Sequence, residues 1–363
     1  SDFMNIISIN LKEKCYKIYI ERGSLKCIGE KLKSVYKSRN VVVITDCNVG
    51  KLYLNTLRES LLSAGFKVNS ISIPPGEKSK TLDVLKGVYE NLCKFNTRRS
   101  DIIISLGGGV VGDLAGFAAA TYLRGIRYIQ VPTSILAQVD SSIGGKVAVD
   151  LPWGKNLVGS FYHPDAVFID PEVLVSLNDR FFSDGMSEVI KYGFIRDKSI
   201  LETLASLPSK NDVLNNIEDI ICKCCNIKKQ LVEMDERDLG DRMMLNFGHT
   251  LGHAVEKYYN YVKYSHGEAV AIGMAAITRR TEEMGITKSG TYDYMKYILE
   301  KYVLPTCIPD LNREAAVDSI ALDKKSSSNG TLNLIVLEEV GKARIMKVKI
   351  PQVQEFLFLD ETK

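Results

Sequence analysis

The stretch Ile102–Leu123 carries a single charge, Asp113, and sets the narrowest limit on what this chain can become. Its length and apolarity would suit a membrane span. Five glycines, at 107, 108, 109, 112 and 116, argue instead for a buried strand, a glycine turn and a buried helix in succession. The same rhythm surrounds it. β-Branched runs at Val41–Thr45, Val68–Ile73, Tyr128–Val131 and Val167–Ile169 alternate with helical patterns at Lys51–Ala64, Lys80–Cys93 and Asp113–Leu123. Such alternation predicts βαβ units and a mostly parallel sheet covered on both faces. Ile6–Asn10 and Tyr16–Glu21 read as an additional strand pair.

After about residue 180 the pattern turns helical, at Ser183–Ile195, Asp212–Glu233, Met243–Tyr259, Gly267–Met284 and Thr291–Tyr302. Leu332–Leu337 and Ala343–Val348, joined around Gly341, read as a hairpin. The expected fold class is therefore α/β, with an α/β domain over residues 1–180 and a mainly α-helical domain over 181–363. Lys and Arg total 47 against 44 Asp and Glu. So even a balance gives no electrostatic case for nucleic acid or an anionic membrane as partner. Eight irregularly spaced cysteines fit free thiols in a reducing, cytoplasmic compartment. Cys222, Cys224 and Cys225 have no second CxxC pair or nearby histidine, and read as structural residues rather than metal ligands.

Gly107-Gly108-Gly109-Val110-Val111-Gly112 is a literal GxGxxG between a predicted strand and a predicted helix, as in Rossmann-like dinucleotide sites. Glycines let backbone approach a pyrophosphate, and the helix start offers N–H groups to it. The motif lies on a middle strand, and no acid follows about 20 residues on to hold a ribose. By itself it fits a tight strand–helix turn as well. Pro74–Lys80 also leaves a strand and opens a helix: Glu77 is placed for ribose hydroxyls and Lys80 for phosphate. Asp46, ending the run Val41–Thr45, is another candidate for sugar hydroxyls.

Only four histidines occur, and His249, His253 and His266 lie close together. His249 and His253, at i and i+4, share one helix face. Three His, Asp or Glu ligands with an open position make a catalytic zinc site. Thr250 follows His249, where a zinc peptidase would carry its glutamate base, so that class is set aside. Arg124, Asp140, Lys146, Lys155, Asn156, Lys191, Lys228, Arg242, Lys324 and Lys325 are polar residues in segments that otherwise read as buried turns. So many cations suit a small anion bearing phosphate and carboxylate. Gly145-Lys146 and Gly154-Lys155 lack the remainder of a Walker A loop, which removes kinase and ATPase readings.

Taken in order, several segments resemble the 3-dehydroquinate synthase family: Pro75–Lys80, Gly107–Asp113, Gln138–Lys146, Gly154–Asn156, Met186–Gly193, Leu245–His253 and His266–Glu268. The resemblance runs from about Asp46 to Lys325. It implies a lyase that converts 3-deoxy-D-arabino-heptulosonate 7-phosphate to 3-dehydroquinate and phosphate, in the shikimate route to aromatic amino acids. NAD is used catalytically, with one divalent metal, zinc or cobalt in its place. By that resemblance Glu188, His249 and His266 bind the metal. Asp46, Glu77, Lys80, Gly109, Val110, Asp113, Thr133, Ser134 and Lys155 contact NAD. Lys146, Asn156, Asn246 and Lys324 hold the substrate phosphate, joined by Arg124 from the neighbouring subunit of a homodimer. Lys228 and Arg242 hold the carboxylate. Asp140, Lys191 and His253 lie around the hydroxyls and relay protons, and Lys146 joins them in the catalytic set. Ser187, His163 and Asp238 stand where the family usually has alanine, glutamine and glutamate. The competing readings are a metal-dependent polyol or alcohol dehydrogenase, for which a phosphate and carboxylate pocket is unnecessary, and a related sugar-phosphate cyclase acting on a substrate without the carboxylate.

Overall fold

The computed structural model of the chain describes residues 5–308, 310–324 and 330–358. The chain divides into two compact units, Ser1–Leu177 with Leu214–Arg237, and Asn178–Val213 with Asp238–Lys363. Segment 214–237 packs with the first unit although it lies in the helical half of the sequence. The apolar stripe of its helix, Ile217–Met234, identifies a buried face but not the partner that covers it. In that unit it carries Lys228 to Asp140 and Glu218 to Arg22.

The first unit is built on a seven-stranded sheet of order β1-β2-β9-β6-β5-β3-β4. The strands are β1 (Asn5–Asn10), β2 (Cys15–Ile20), β3 (Asn40–Asp46), β4 (Lys67–Ile73), β5 (Ile102–Gly107), β6 (Arg127–Pro132) and β9 (Ala166–Ile169). β1 pairs antiparallel to β2, and every other pairing in the sheet is parallel. β5 is buried along its whole length, as a central parallel strand must be. Its alternate residues feed two separate cores. Ile102, Ile104 and Leu106 join Leu32, Leu57 and Leu61 on one face. Ile103 joins Leu85, Val88, Leu114 and Ala118 on the other. Each such buried aliphatic side chain contributes about 1.5–3 kcal/mol.

A second sheet of two strands, β7 (Lys146–Leu151) and β8 (Gly154–Phe161), forms an antiparallel hairpin. This replaces the buried turns expected here, because β7 is short and the glycines and polar residues of β8 break the alternation that would mark its partner strand. The chain's sole tryptophan, Trp153, stands at the hairpin tip and is 82% exposed. A helix at Ile28–Val35 is a further element that the sequence pattern does not announce.

The second unit is helical apart from the hairpin of β10 (Thr331–Glu339) and β11 (Lys342–Lys349). Its principal helices are Asp179–Ile195, His249–Tyr258, His266–Glu283 and Thr291–Lys301. The helix expected over Met243–Tyr259 is interrupted: a 3-10 turn, Asp241–Asn246, precedes it, and Gly248 caps the helix at φ 78°. A Cβ there would meet the Val270 carbonyl oxygen at 2.7 Å, so both conformation and space demand glycine. Among the described residues no helix is long and apolar enough to cross a membrane.

Candidate active site

In the first unit, sheet order places the carboxyl ends of β4, β3, β5 and β6 side by side. Asp46, the turn after β4, the glycine turn and Thr133-Ser134 therefore gather at one sheet edge, where open α/β sheets bind ligands. Asp46 Oδ1 accepts from the N–H groups of Asn48 (2.8 Å) and Val49 (2.9 Å), fixing its side chain at the end of β3. Lys80 is buried. Its Nζ lies 2.7 Å from Asp113 Oδ2 and 3.9 Å from Glu77 Oε1, and Lys155 Nζ reaches the same Glu77 oxygen at 3.7 Å. Burial pushes the Asp113 carboxyl up, against the opposing pull of Lys80. Burial likewise raises Glu77, against Lys80 and Lys155. Asp150, which no sequence motif singles out, ties the hairpin to this web. Its N–H donates to the Lys80 carbonyl and its Oδ1 accepts from the Asn156 N–H, both at 2.8 Å.

The helix Gly109–Thr121 starts without a side-chain cap, so the backbone at Gly109 and Val110 offers N–H groups of the kind that bind phosphate. The glycines divide by role. A Cβ on Gly112 would lie 2.9 Å from Gln130 Oε1, and one on Gly116 would lie 2.4 Å from Val147 Cγ1. Those two serve packing. Gly109 has more room, its nearest neighbour being Ser141 Oγ at 3.3 Å. The Thr133 N–H donates to the Gly107 carbonyl (2.9 Å), which ties it to the glycine turn, and Ser134 Oγ accepts from the Ala137 N–H (3.2 Å), which fixes the Ser134 side chain to the segment that follows.

Asp140 lies in the turn Ala137–Ser141 and is ion-paired with Lys228, which is 6% exposed. Lys146 opens β7 with an exposed side chain, and Asn156 lies on β8 at φ 56°. Arg124 is exposed and sits at φ 64°, between Leu123 at φ 51° and Gly125 at φ 115°. A left-handed run of this kind in non-glycine residues is uncommon and marks a place where the chain is forced to turn.

In the second unit, Glu188, His249 and His266 present ligand atoms within 4.8 Å of one another. His249 Nε2 is 3.3 Å and His266 Nε2 3.2 Å from Glu188 Oε1. Small residues make this convergence. A Cβ on Gly273 would lie 1.9 Å from the Gly248 carbonyl oxygen, and one on Gly252 would lie 3.1 Å from the Ala269 carbonyl oxygen, so the two histidine-bearing helices touch through their backbones. Gly267 lies as close to Asp184, whose Oδ1 accepts the Gly267 N–H at 2.5 Å. Ser187 Oγ donates to the Gly267 carbonyl at 2.7 Å, so the departure from alanine adds a tie between the Glu188 helix and the start of the His266 helix. Ser265 and Glu268 complete a capping box at that start.

The electrostatics follow from burial. Glu188 is fully buried, which alone would raise its pKa; Lys191, then His249 and His266, overcome this and hold the carboxylate well below its usual range. Desolvation lowers His249 despite Glu188. Desolvation would lower His266 too, but hydrogen bonds to Glu188 and Glu256 raise it to about 10. His249 Nδ1 lies 3.0 Å from the Phe247 carbonyl oxygen, an arrangement that turns Nε2 toward Glu188. This donor set, one carboxylate and two oriented imidazoles, fits a divalent metal of the zinc type. His253 and Glu256 form a second ligand-capable group with His266. Lys191 is 1% and Arg242 2% exposed, and Asn246 ends the Asp241–Asn246 turn with an exposed side chain. The side chain of Lys324, and Lys325, lie outside the described residues. Among those described, Cys222, Cys224 and Cys225 carry free thiols and enter neither ligand group.

Residues 70–184 match the family described as 3-dehydroquinate synthase N-terminal, and residues 185–326 that described as 3-dehydroquinate synthase C-terminal. A 3-dehydroquinate synthase of Clostridium kluyveri is 70% identical over 358 residues, which is 99% of each chain. One from Clostridium acetobutylicum is 51% identical over 354 residues, 98% of this chain and 99% of that protein. The crystal structure of 2-deoxy-scyllo-inosose synthase, complexed with carbaglucose-6-phosphate, NAD+ and Co2+, is similar with a TM-score of 0.86 and 26% identity. That match covers 97% of this chain and 98% of the other.

Proposed function

The chain belongs to the 3-dehydroquinate synthase family, and on that premise we propose that it converts 3-deoxy-D-arabino-heptulosonate 7-phosphate to 3-dehydroquinate and phosphate with NAD and one divalent metal. The observation that carries the reading is the convergence of Glu188, His249 and His266 in the second unit. When bound, the dinucleotide supplies a hydride acceptor and donor, and the cation, zinc or cobalt, withdraws charge from a substrate hydroxyl. The similar inosose synthase structure, complexed with NAD+ and Co2+, supports that pair of cofactors.

The remaining work belongs to side chains. The Gly109–Val110 backbone and Lys155 take the dinucleotide phosphates. Asp46, Glu77, Thr133 and Ser134 accept from or donate to its hydroxyls, with Lys80 and Asp113 fixed against one another beside them. Lys146, Asn156, Asn246 and Lys324 hold the substrate phosphate, and Arg124 is contributed by the second copy in a homodimer. Lys228 and Arg242 take the carboxylate, a planar anion that suits a guanidinium fork. Asp140, paired with Lys228, and Lys191, paired with Glu188, lie at the substrate hydroxyls with His253 and move protons there. The substrate's own phosphate would take the proton from the carbon made acidic by the neighbouring ketone and leave with it as hydrogen phosphate; once the hydride is returned, ring opening and an internal aldol closure would complete the carbocycle. Orientation and charge stabilisation therefore suffice, and no protein nucleophile is needed. Ten-fold steps in rate follow from each 1.4 kcal/mol or so of such stabilisation.

Phosphate release from the heptulosonate phosphate, measured with and without NAD and a chelator, tests the reading. Release that requires both cofactors is expected. Net NADH accumulation without phosphate release would instead favour a polyol dehydrogenase. An equal rate on a substrate lacking the carboxylate would favour another sugar-phosphate cyclase.

A further inference from the structure

We infer that Glu256 is a positioning residue of the metal centre, holding His266 by its Nδ1 so that Nε2 is turned toward Glu188. This rests on the reading of Glu188, His249 and His266 as metal ligands. Glu256 is 4% exposed, and a buried carboxylate must be paired or hydrogen-bonded to remain ionised. Its Oε2 lies 3.3 Å from His266 Nδ1, while His266 Nε2 lies 3.2 Å from Glu188 Oε1. The ring is thus gripped at both nitrogens, one by each carboxylate. A proton on Nδ1, donated to Glu256, leaves the Nε2 lone pair for the cation and makes the imidazole a stronger base. His249 has the same logic with a different partner, since its Nδ1 faces the Phe247 carbonyl at 3.0 Å.

The helix His249–Tyr258 explains how one element serves both histidines. His249, His253 and Glu256 fall at i, i+4 and i+7, one stripe of that helix. The first residue of the stripe is a ligand, and the last reaches across to the first residue of the helix His266–Glu283. Glycines at 252 and 273 bring the two backbones close enough for a glutamate to span the gap. Glu256 therefore sets the orientation of a ligand borne by another helix.

Competition between the metal-free protein and a chromophoric chelator for Zn2+ tests this, on the native chain, Glu256→Gln, Glu256→Ala and His249→Ala. Glu256→Ala should weaken zinc binding about 10–100-fold, the usual effect of removing an outer partner of a ligating histidine. Glu256→Gln, which keeps an acceptor without the charge, should lose less, and it preserves the test if the alanine variant misfolds. With Co2+, both variants should keep the native band positions, because the ligand set is intact. Native zinc affinity in both glutamate variants would overturn the inference. So would Co2+ bands displaced to a different coordination, which would make Glu256 itself a ligand beside His253. Native affinity in His249→Ala would refute the metal-site reading on which the inference stands, a result distinct from either.

Discussion

The sheet edge of the first unit and the histidine cluster of the second organise charge in opposite ways. At the sheet edge, Glu77, Lys80, Asp113 and Lys155 neutralise one another at 2.7–3.9 Å, with half-exposed members, and glycine backbone supplies the anion donors. That arrangement is complete before any ligand arrives. In the cluster, a fully buried Glu188 meets Lys191 at Oε2 and two imidazoles that share Oε1. On the proposed reading, a cation bound there would relieve that sharing, because it would take the imidazole lone pairs and the carboxylate together. Glycine, too, works differently in each place. Gly109 leaves room for a ligand, whereas Gly273 removes the room between two helices. On the proposed reading, the lesson is that a dinucleotide site can be preformed from backbone, while a metal site concentrates unfavourable burial until its ion is present.

The contrast is broken most severely at the ligands. His249→Ala should abolish metal retention and lower turnover by about three orders of magnitude, given the several kcal/mol a catalytic metal supplies. Metal content after dialysis and steady-state phosphate release check it; a variant that keeps both would leave the cluster without a role. Next comes Gly273→Ala. Its Cβ must push against a backbone carbonyl, and overpacking of that kind costs about 1–3 kcal/mol. Urea unfolding should register that loss together with weaker metal binding. Gly109→Ala should change stability by under ~1 kcal/mol while weakening NAD binding, which equilibrium titration measures. If the two glycine variants behaved alike, the proposed division between room for a ligand and room for a helix would be gone.

Two further variants sharpen the comparison. Lys80→Ala leaves Asp113 with no cation at 2.7 Å and should lose about 2 kcal/mol of stability, with weaker NAD binding; Asp113→Asn in the same background should restore part of the stability. Failure of that rescue would mean the pair is not coupled. Ser187→Ala removes a single hydrogen bond to the Gly267 carbonyl and should cost about 1 kcal/mol. Its melting temperature should fall more in metal-free protein than in metal-loaded protein, where the ion also ties the same helices.

Much of this architecture is legible in the amino-acid sequence. Parallel strands announce themselves as β-branched runs, and β3, β4, β5 and β6 lie within a residue or two of the expected positions. Scarcity makes the histidines stand out. Other features leave no such trace. In the hairpin β7–β8, β8 carries glycines and polar residues with little apolar alternation, and the buried run Val147-Ala148-Val149 of β7 is too short to mark a strand by itself. The helix Ile217–Met234 shows its apolar stripe plainly, yet periodicity says which face is covered and not by what. Glu188 emerges only through resemblance to a family, since a glutamate in a helix normally faces water. Glu256 is hidden on the same ground, although its i+7 spacing from His249 is plain in the chain. Gly273 looks like an ordinary weak point in a helix; its neighbour across the gap is far away in sequence.

Trp153 turns the exposed tip of the β7–β8 hairpin into an instrument. As the chain's one indole, standing at a tip whose flanking strands carry Lys146, Lys155 and Asn156, it makes all tryptophan emission of the chain originate from that single spot. Quenching by iodide or acrylamide, followed as NAD and then a substrate analogue are added, would report the hairpin's environment at each stage without any label being attached.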